Sequence, residues 1–170
     1  YSTDAGMVGC RLGPEEAYRF ARGEEVTSSM GVRTRLQRPL DFLVVADHSE
    51  NLGLVAMIDE SSPDLLRNEF GRKVHDLVKS GKGFDAYNMW AETMGKRHDP
   101  LAANDVLARS MWERETTFAE KYNEPGKFTA FIGFEWTASP NGNNLHRNVV
   151  FRDGKAKADM VLPYSQYDST

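Results

Sequence analysis

The chain has 170 residues, of which 40% are hydrophobic and 27% are charged, as is typical of one globular domain. The net charge of −4 and the pI near 5.6 give no electrostatic reason to expect binding to nucleic acid or to an anionic membrane. No apolar run reaches the roughly 18 residues that a membrane span needs. The single cysteine, Cys10, excludes an internal disulfide and a cysteine-based zinc cluster.

The first half of the chain predicts a loop, a helix and a buried strand. Residues 1–12 are predicted to be a loop, and GPEEAYRFARGE, residues 13–24, predicts a helix that begins near Pro14 and ends at Gly23. Residues 25–38 form a polar connector. The following run, 41–46, is apolar on both faces, which is typical of a central parallel strand.

The second half predicts a long helical segment followed by two strands. Residues 61–123 carry apolar stripes at helical spacing, with breaks at glycine and proline. KFTAFIGFEWT, residues 127–137, and LHRNVVFRD, residues 145–153, are rich in aromatic and β-branched residues, and a turn-rich loop joins them. The order of elements predicts an α/β fold.

Ionisable side chains stand at the ends of the predicted strands. Asp47 and His48 follow the first strand, Glu135 ends the second, and His146 lies in the third. Ligand sites in α/β folds lie at the carboxyl ends of strands, and buried charges pair or bind a cation. Histidine and carboxylate side chains are the ligands of Zn²⁺, Mn²⁺ and Fe²⁺.

Each of these residues also has an ordinary structural interpretation. Asp47 would then be a helix cap with His48 as a neighbouring histidine, and Glu135 would pair with an arginine such as Arg147. His146 would be a hydrogen-bonded core histidine. The spacing of the residues does not decide between these interpretations and metal binding.

The motifs resemble a known superfamily. FLVVADHSE, FIGFEWT and NLHRNVVF are similar to consecutive motifs of the polymerase-and-histidinol-phosphatase (PHP) superfamily of metal-dependent phosphoesterases. Together with YSTDAG and LHRNVVFRDG, they resemble more closely an uncharacterised bacterial branch, the domain-of-unknown-function family three-six-zero-four. The resemblance covers nearly the whole chain.

The resemblance implies a role for six residues. The implied metal ligands are His48, Glu135, His146 and Asp4. Glu135 would bridge two ions. Asp4, if it is not a ligand, is expected to form an ordinary turn. Asp47 would orient the site through hydrogen bonds. Arg147 would meet an anionic group of the substrate.

The resemblance also implies a fold: a partial, distorted (β/α)7 TIM-like barrel of the PHP type. The 170 residues would form one incomplete PHP-like domain, in which residues 51–126 are a helical insert that covers the pocket. The His-x-His and Asp-x-His motifs of the superfamily are expected before Tyr1 and after Thr170. The chain is therefore expected to be an internal piece of a longer protein and to be inactive alone.

The implied activity is that of a metal-dependent hydrolase of the phosphoesterase type. The full-length protein would hold two or three divalent ions (Zn, Mn or Fe) and would act on a small, phosphorylated substrate. One alternative is a non-catalytic binding module on a PHP-like scaffold, and another is a hydrolase of non-phosphate substrates, such as amides, that uses the same metal chemistry. The sequence does not indicate the oligomeric state. It does not indicate the compartment either, and both a cytoplasmic and a periplasmic or secreted location stay open.

Overall fold

The computed structural model describes residues 1–96, 98–101 and 105–168. Eight α-helices and five strands lie in these ranges, and most of the helices lie between the third and fourth strands. The helices are α1 (Thr3–Met7), α2 (Pro14–Ala21), α3 (Leu54–Asp59), α4 (Pro63–Arg67), α5 (Glu69–Lys79), α6 (Gly83–Lys96), α7 (Asp105–Tyr122) and α8 (Lys155–Ala158). The strands are β1 (Val26–Thr27), β2 (Arg33–Thr34), β3 (Phe42–Val45), β4 (Thr129–Ala138) and β5 (Leu145–Val150).

The strands form two small sheets. β1 and β2 pair as an antiparallel ribbon, and the larger sheet has the order β3-β4-β5. β3 pairs in parallel with β4, which is possible because the long connection between them contains five helices of the described chain. β5 pairs antiparallel to β4, because the six residues between these strands are enough for a hairpin but too few for a crossover.

One face of the larger sheet packs against helices α2 and α7. Alternate residues of β4 point to this face, and Ala130, Ile132 and Phe134 are at most 8% exposed. They share an apolar cluster with Tyr18 of α2 and Trp112 of α7, both nearly fully buried. The neighbouring residues of β4 consequently point to the opposite face.

A second apolar cluster joins the helices between β3 and β4. Leu54 and Trp90 are buried in it, together with Met7 of α1. At Gly83, the first residue of α6, a Cβ atom would lie 2.1 Å from the carbonyl oxygen of Met7. The close approach of α6 to α1 therefore requires glycine at this position.

The prediction of a partial (β/α)7 TIM-like barrel is wrong. In the described chain the two sheets have two and three strands, and neither closes into a barrel. β3 and β5 are the two edges of an open mixed sheet, and the antiparallel β4–β5 hairpin does not belong to a βαβ repeat.

The local predictions have mixed outcomes. The helix from Pro14 is confirmed, and so is helical structure over most of the described part of 61–123. The loop predicted for 1–12 is wrong over α1, a five-residue helix too short to show a periodic pattern. β3 pairs in parallel as predicted but lies at an edge, where Phe42 is 62% exposed. In the described ranges, we find no helix with the length and apolar character needed to cross a membrane.

Candidate metal centre

Pairing between β3 and β4 continues beyond the end of β3 and aligns two of the predicted ligands. His48 and Glu135 form a parallel bridge in the same register as the strands. The backbone N–H of Glu135 donates to the carbonyl of Asp47, and the N–H of Ser49 donates to the carbonyl of Glu135, both at 2.9 Å. Paired residues of parallel strands share a face, so the side chains of His48 and Glu135 lie side by side.

The third predicted ligand reaches the same face through the hairpin. On β4, Phe134 points to the helices, and Glu135 and Thr137 therefore point to the other face. His146 of β5 is directly opposite Thr137 in the antiparallel register and shares its face. The imidazole rings of His48 and His146 lie with their centroids 5.7 Å apart.

The donor atoms of these side chains are spaced as they would be around one ion. One donor atom from each of His48, Glu135 and His146 lies within 4.8 Å of the other two. The Nε2 atom of His48 is 3.7 Å from Glu135 Oε2, and His146 Nδ1 is 3.0 Å from Glu135 Oε1. Ligands about 2.0–2.2 Å from a Zn²⁺ ion are roughly 3–4 Å from one another, which matches these separations.

Asp4 also reaches the cluster, although it lies far away in the sequence. Helix α1 carries Asp4 to the site, where its Oδ2 atom is 3.6 Å from the Nε2 atom of His48. Its Oδ1 atom accepts a hydrogen bond from the backbone N–H of Ala5 at 2.7 Å. One carboxylate oxygen is thus used locally, and the other faces the imidazole.

Glu50 holds the other nitrogen of the His48 ring. Its carboxylate is fully buried, and Oε2 lies 3.2 Å from His48 Nδ1. The backbone N–H of Gln166 donates to Glu50 Oε1 at 2.9 Å and fixes the carboxylate. A neutral ring that donates from Nδ1 presents the lone pair of Nε2 to Asp4 and Glu135, the arrangement that metal-binding histidines use.

The charges around His48 alter its titration. The hydrogen bond to Glu50 raises the pKa of His48 above its ordinary value, and the negative charges of Asp4 and Glu135 raise it further, although burial lowers it. The pocket thus favours a positive charge at the imidazole position.

Thr137 connects the two imidazoles. Its side chain is 2% exposed, and its hydroxyl oxygen lies 3.3 Å from His48 Nδ1 and 3.0 Å from His146 Nδ1. A hydroxyl can donate one hydrogen bond and accept others, so this residue can orient both rings.

Asp47 lies on the opposite side of the strand from His48. Its carboxylate accepts hydrogen bonds from the Ser2 hydroxyl at 3.0 Å and from the backbone nitrogen of Tyr1 at 2.6 Å. The same Ser2 oxygen accepts the backbone N–H of His48 at 2.9 Å. The carboxylate of Asp47 is therefore connected to His48 through Ser2, and its predicted orienting role remains a prediction.

The structure does not bring Arg147 to the cluster. Arg147 is opposite Trp136 on the hairpin and therefore shares the helix-covered face with it. Its guanidinium carbon lies 4.5 Å from the centroid of the Trp136 ring, a cation–π contact. The contact of Arg147 with an anionic substrate group remains a prediction.

The comparisons with known proteins identify a family. A family model described as "Protein of unknown function (DUF3604)" matches residues 1–170, the whole chain. The chain belongs to the DUF3604 family. A search of the curated proteins and a search of the solved structures found no match to this chain. The predicted resemblance to the family three-six-zero-four is thereby confirmed, and the resemblance to the PHP superfamily remains a prediction.

Sequence reasoning missed three parts of the DUF3604 site. Glu50 and Thr137 lie within the motifs that were recognised, two residues after His48 and Glu135 respectively, and the period of two along a strand could have identified Thr137. The third part is helix α6, which lines a cavity of about 880 Å³ together with Asp4, His48 and His146. No local pattern could have placed this helix there.

Proposed function

We propose that this DUF3604 chain carries the metal centre of a metal-dependent hydrolase of the phosphoesterase type, related to the PHP superfamily. The observation that carries the proposal is the convergence of three side chains within 4.8 Å: His48 from the segment that follows β3, Glu135 from β4 and His146 from β5. Such a convergence from separated positions is hard to explain by strand packing alone, since the three residues lie on the face opposite the apolar cluster formed with α2 and α7.

The charge balance of the cluster supports a bound cation. Three carboxylates, those of Asp4, Glu50 and Glu135, lie within 4 Å of the imidazole of His48. Among the described residues that line the cavity, none is lysine or arginine. A divalent ion would neutralise this cluster, and mixed imidazole and carboxylate ligands suit zinc, manganese and iron.

The residues divide into ligands and residues that position them. His48, Glu135, His146 and Asp4 would hold the ion, and further ligands would come from outside this chain. When bound, a divalent ion lowers the pKa of a coordinated water and stabilises negative charge on the ester. Glu50 fixes the tautomer of His48, and Thr137 orients both imidazole rings. Asp47 holds the backbone of His48 in place through Ser2.

The first test is the metal content of the natural polypeptide that carries this chain, measured by plasma mass spectrometry. The test variant is the double replacement His48→Ala, Glu135→Ala. The control is His75→Ala, Asp76→Ala, which removes another histidine–carboxylate pair, with Nδ1 and Oδ1 2.9 Å apart, from α5, outside the cavity.

We expect two or more equivalents of Zn, Mn or Fe in the parent and in the control, and loss of metal in the test variant. The loaded parent should then release nitrophenol from nitrophenyl phosphate esters, and the test variant should not. Metal retained by the test variant would contradict the assigned ligands. Absence of metal in the parent after reconstitution would contradict the hydrolase and favour a binding module.

A further inference from the structure

The cavity beside the candidate metal centre has two unlike walls. The ligand side is polar, with His48, Thr137 and His146. The facing wall is helix α6, which presents Tyr87, Ala91 and Met94 on one face, and the largely buried Trp90 adds an edge to the lining. The cavity, at about 880 Å³, is much larger than a phosphoryl group and belongs to the size class of small-molecule sites.

The apolar wall is held in place by its own contacts. The indole N–H of Trp90 donates to the Asn51 side-chain oxygen at 3.0 Å, and the hydroxyl of Thr93 lies 2.9 Å from the hydroxyl of Tyr167. The rings of Tyr87 and Trp90 lie 6.1 Å apart between centroids. Asn51 lies three residues after His48, so the wall is connected to the loop that carries a ligand.

We propose that this site selects esters that carry an aryl group, with the ester bound at the metal centre and the ring against α6. The inference rests on the proposed hydrolase function. Flat rings pack well against tyrosine and tryptophan, and the thioether of methionine makes favourable contacts with aromatic rings. Ala91, between Tyr87 and Met94 on this wall, leaves space that a larger side chain would fill.

The test compares two compounds that cannot be hydrolysed, phenylphosphonate and methylphosphonate, by calorimetric titration of the metal-loaded parent polypeptide. Both offer the same phosphonate to the metal, so the ratio of their affinities reports the environment of the organic group. We expect phenylphosphonate to bind about tenfold more tightly or better, since its ring buries apolar surface that a methyl group does not.

Variants of α6 identify the wall that the ring contacts. Ala91→Phe fills the space on the wall and should reduce the ratio of affinities at least several-fold. The matched control, Glu92→Phe, places the same ring on the solvent side, where the Glu92 side chain is 71% exposed, and should retain the parent ratio. Met94→Gln is a second test variant of similar length, and it should also reduce the ratio.

The outcomes separate the two proposals. Equal affinities of the two phosphonates for a metal-loaded parent would overturn the aryl selectivity and leave the hydrolase proposal intact. A ratio unchanged in both Ala91→Phe and Met94→Gln would overturn the placement of the ring on α6. A parent that binds no metal would overturn both proposals.

Discussion

Glu115 of α7 is a buried acid whose replacement should stabilise the protein. It is 2% exposed, and neither carboxylate oxygen has a hydrogen-bond partner in the described part of the chain. Burial raises the pKa of Glu115 well above its ordinary value, and the negative charge of Asp47 raises it further. Asp47 lies on the same helix-covered face, because the continued strand register places it opposite Phe134.

The expected change is Glu115→Met, which keeps the side-chain length and removes the polar group. An unsatisfied buried polar group costs about 1–3 kcal/mol, so the variant should be more stable by about that amount at neutral pH. At about 2–4 °C per kcal/mol for a chain of this length, the melting temperature should rise by about 2–12 °C.

The sign of the pH dependence follows from the raised pKa. The unfolded chain releases the Glu115 proton at a pH of about 4.3, whereas the folded chain keeps it to a higher pH. At pH values between the pKa of Glu115 in the unfolded state and that in the folded state, the folded chain holds a proton that the unfolded chain has released. The contribution of Glu115 therefore lowers the stability of the fold as the pH rises. The advantage of Glu115→Met over the parent should therefore grow from about pH 5 to about pH 8.

Urea denaturation at both pH values measures this difference. The control is Glu113→Met, an exposed position on the same helix, where we expect a change within about 0.5 kcal/mol. A loss of stability in Glu115→Met at both pH values would refute the unsatisfied-carboxyl argument. An advantage that does not change with pH would refute the raised pKa.

The remaining predictions concern the metal centre and the packing of α6. Glu50→Gln should weaken metal binding by about 10–100-fold and lower the pKa of His48, as measured by metal competition and NMR titration; an unchanged pKa would contradict the assigned contact. In the parent, metal affinity should fall as the pH decreases through the raised pKa of His48, because ligation needs the neutral ring, and calorimetry in buffers of different ionisation enthalpy should detect proton release. Gly83→Ala should destabilise the fold by about 1–3 kcal/mol, because the Cβ atom would clash with Met7. Gly95→Ala, in the same helix with open space among the described residues, should instead stabilise it by about 0.5–1 kcal/mol in thermal denaturation.

Local patterns predicted the strands next to three of the four predicted ligands, but the helix that carries Asp4 was predicted to be a loop. The apolar runs before His48 and around Glu135 are long enough to specify strands, and each ligand lies next to such a run. Glu50 was missed as a partner because its contact depends on how the chain turns after β3. The position of α6 depends on contacts across the helical cluster, such as that of Gly83 with Met7, which no periodic pattern shows.

The barrel was predicted from the resemblance to the PHP superfamily, but the length of one loop in the sequence already argued against it. Only six residues separate β4 from β5, and turn-forming residues fill that loop. A parallel crossover needs a dozen residues or more, so this loop specifies a hairpin. Three strands in parallel and antiparallel pairs make an open sheet, and the predicted ligands meet because the strands are neighbours in it.

Packing on the apolar face of the β4–β5 hairpin helps to determine which side chains lie on its other face. A shift of one residue in the pairing of β5 would move His146 to the helix-covered side and bring Arg147 into the carboxylate cluster. Contacts on the covered side resist this shift, because Arg147 stacks on Trp136 and Phe151 packs against Trp112 with ring centroids 5.9 Å apart. The position of His146 is thus specified in part by residues outside the candidate metal centre, and we expect replacements of Phe151 to disturb metal binding as well as stability.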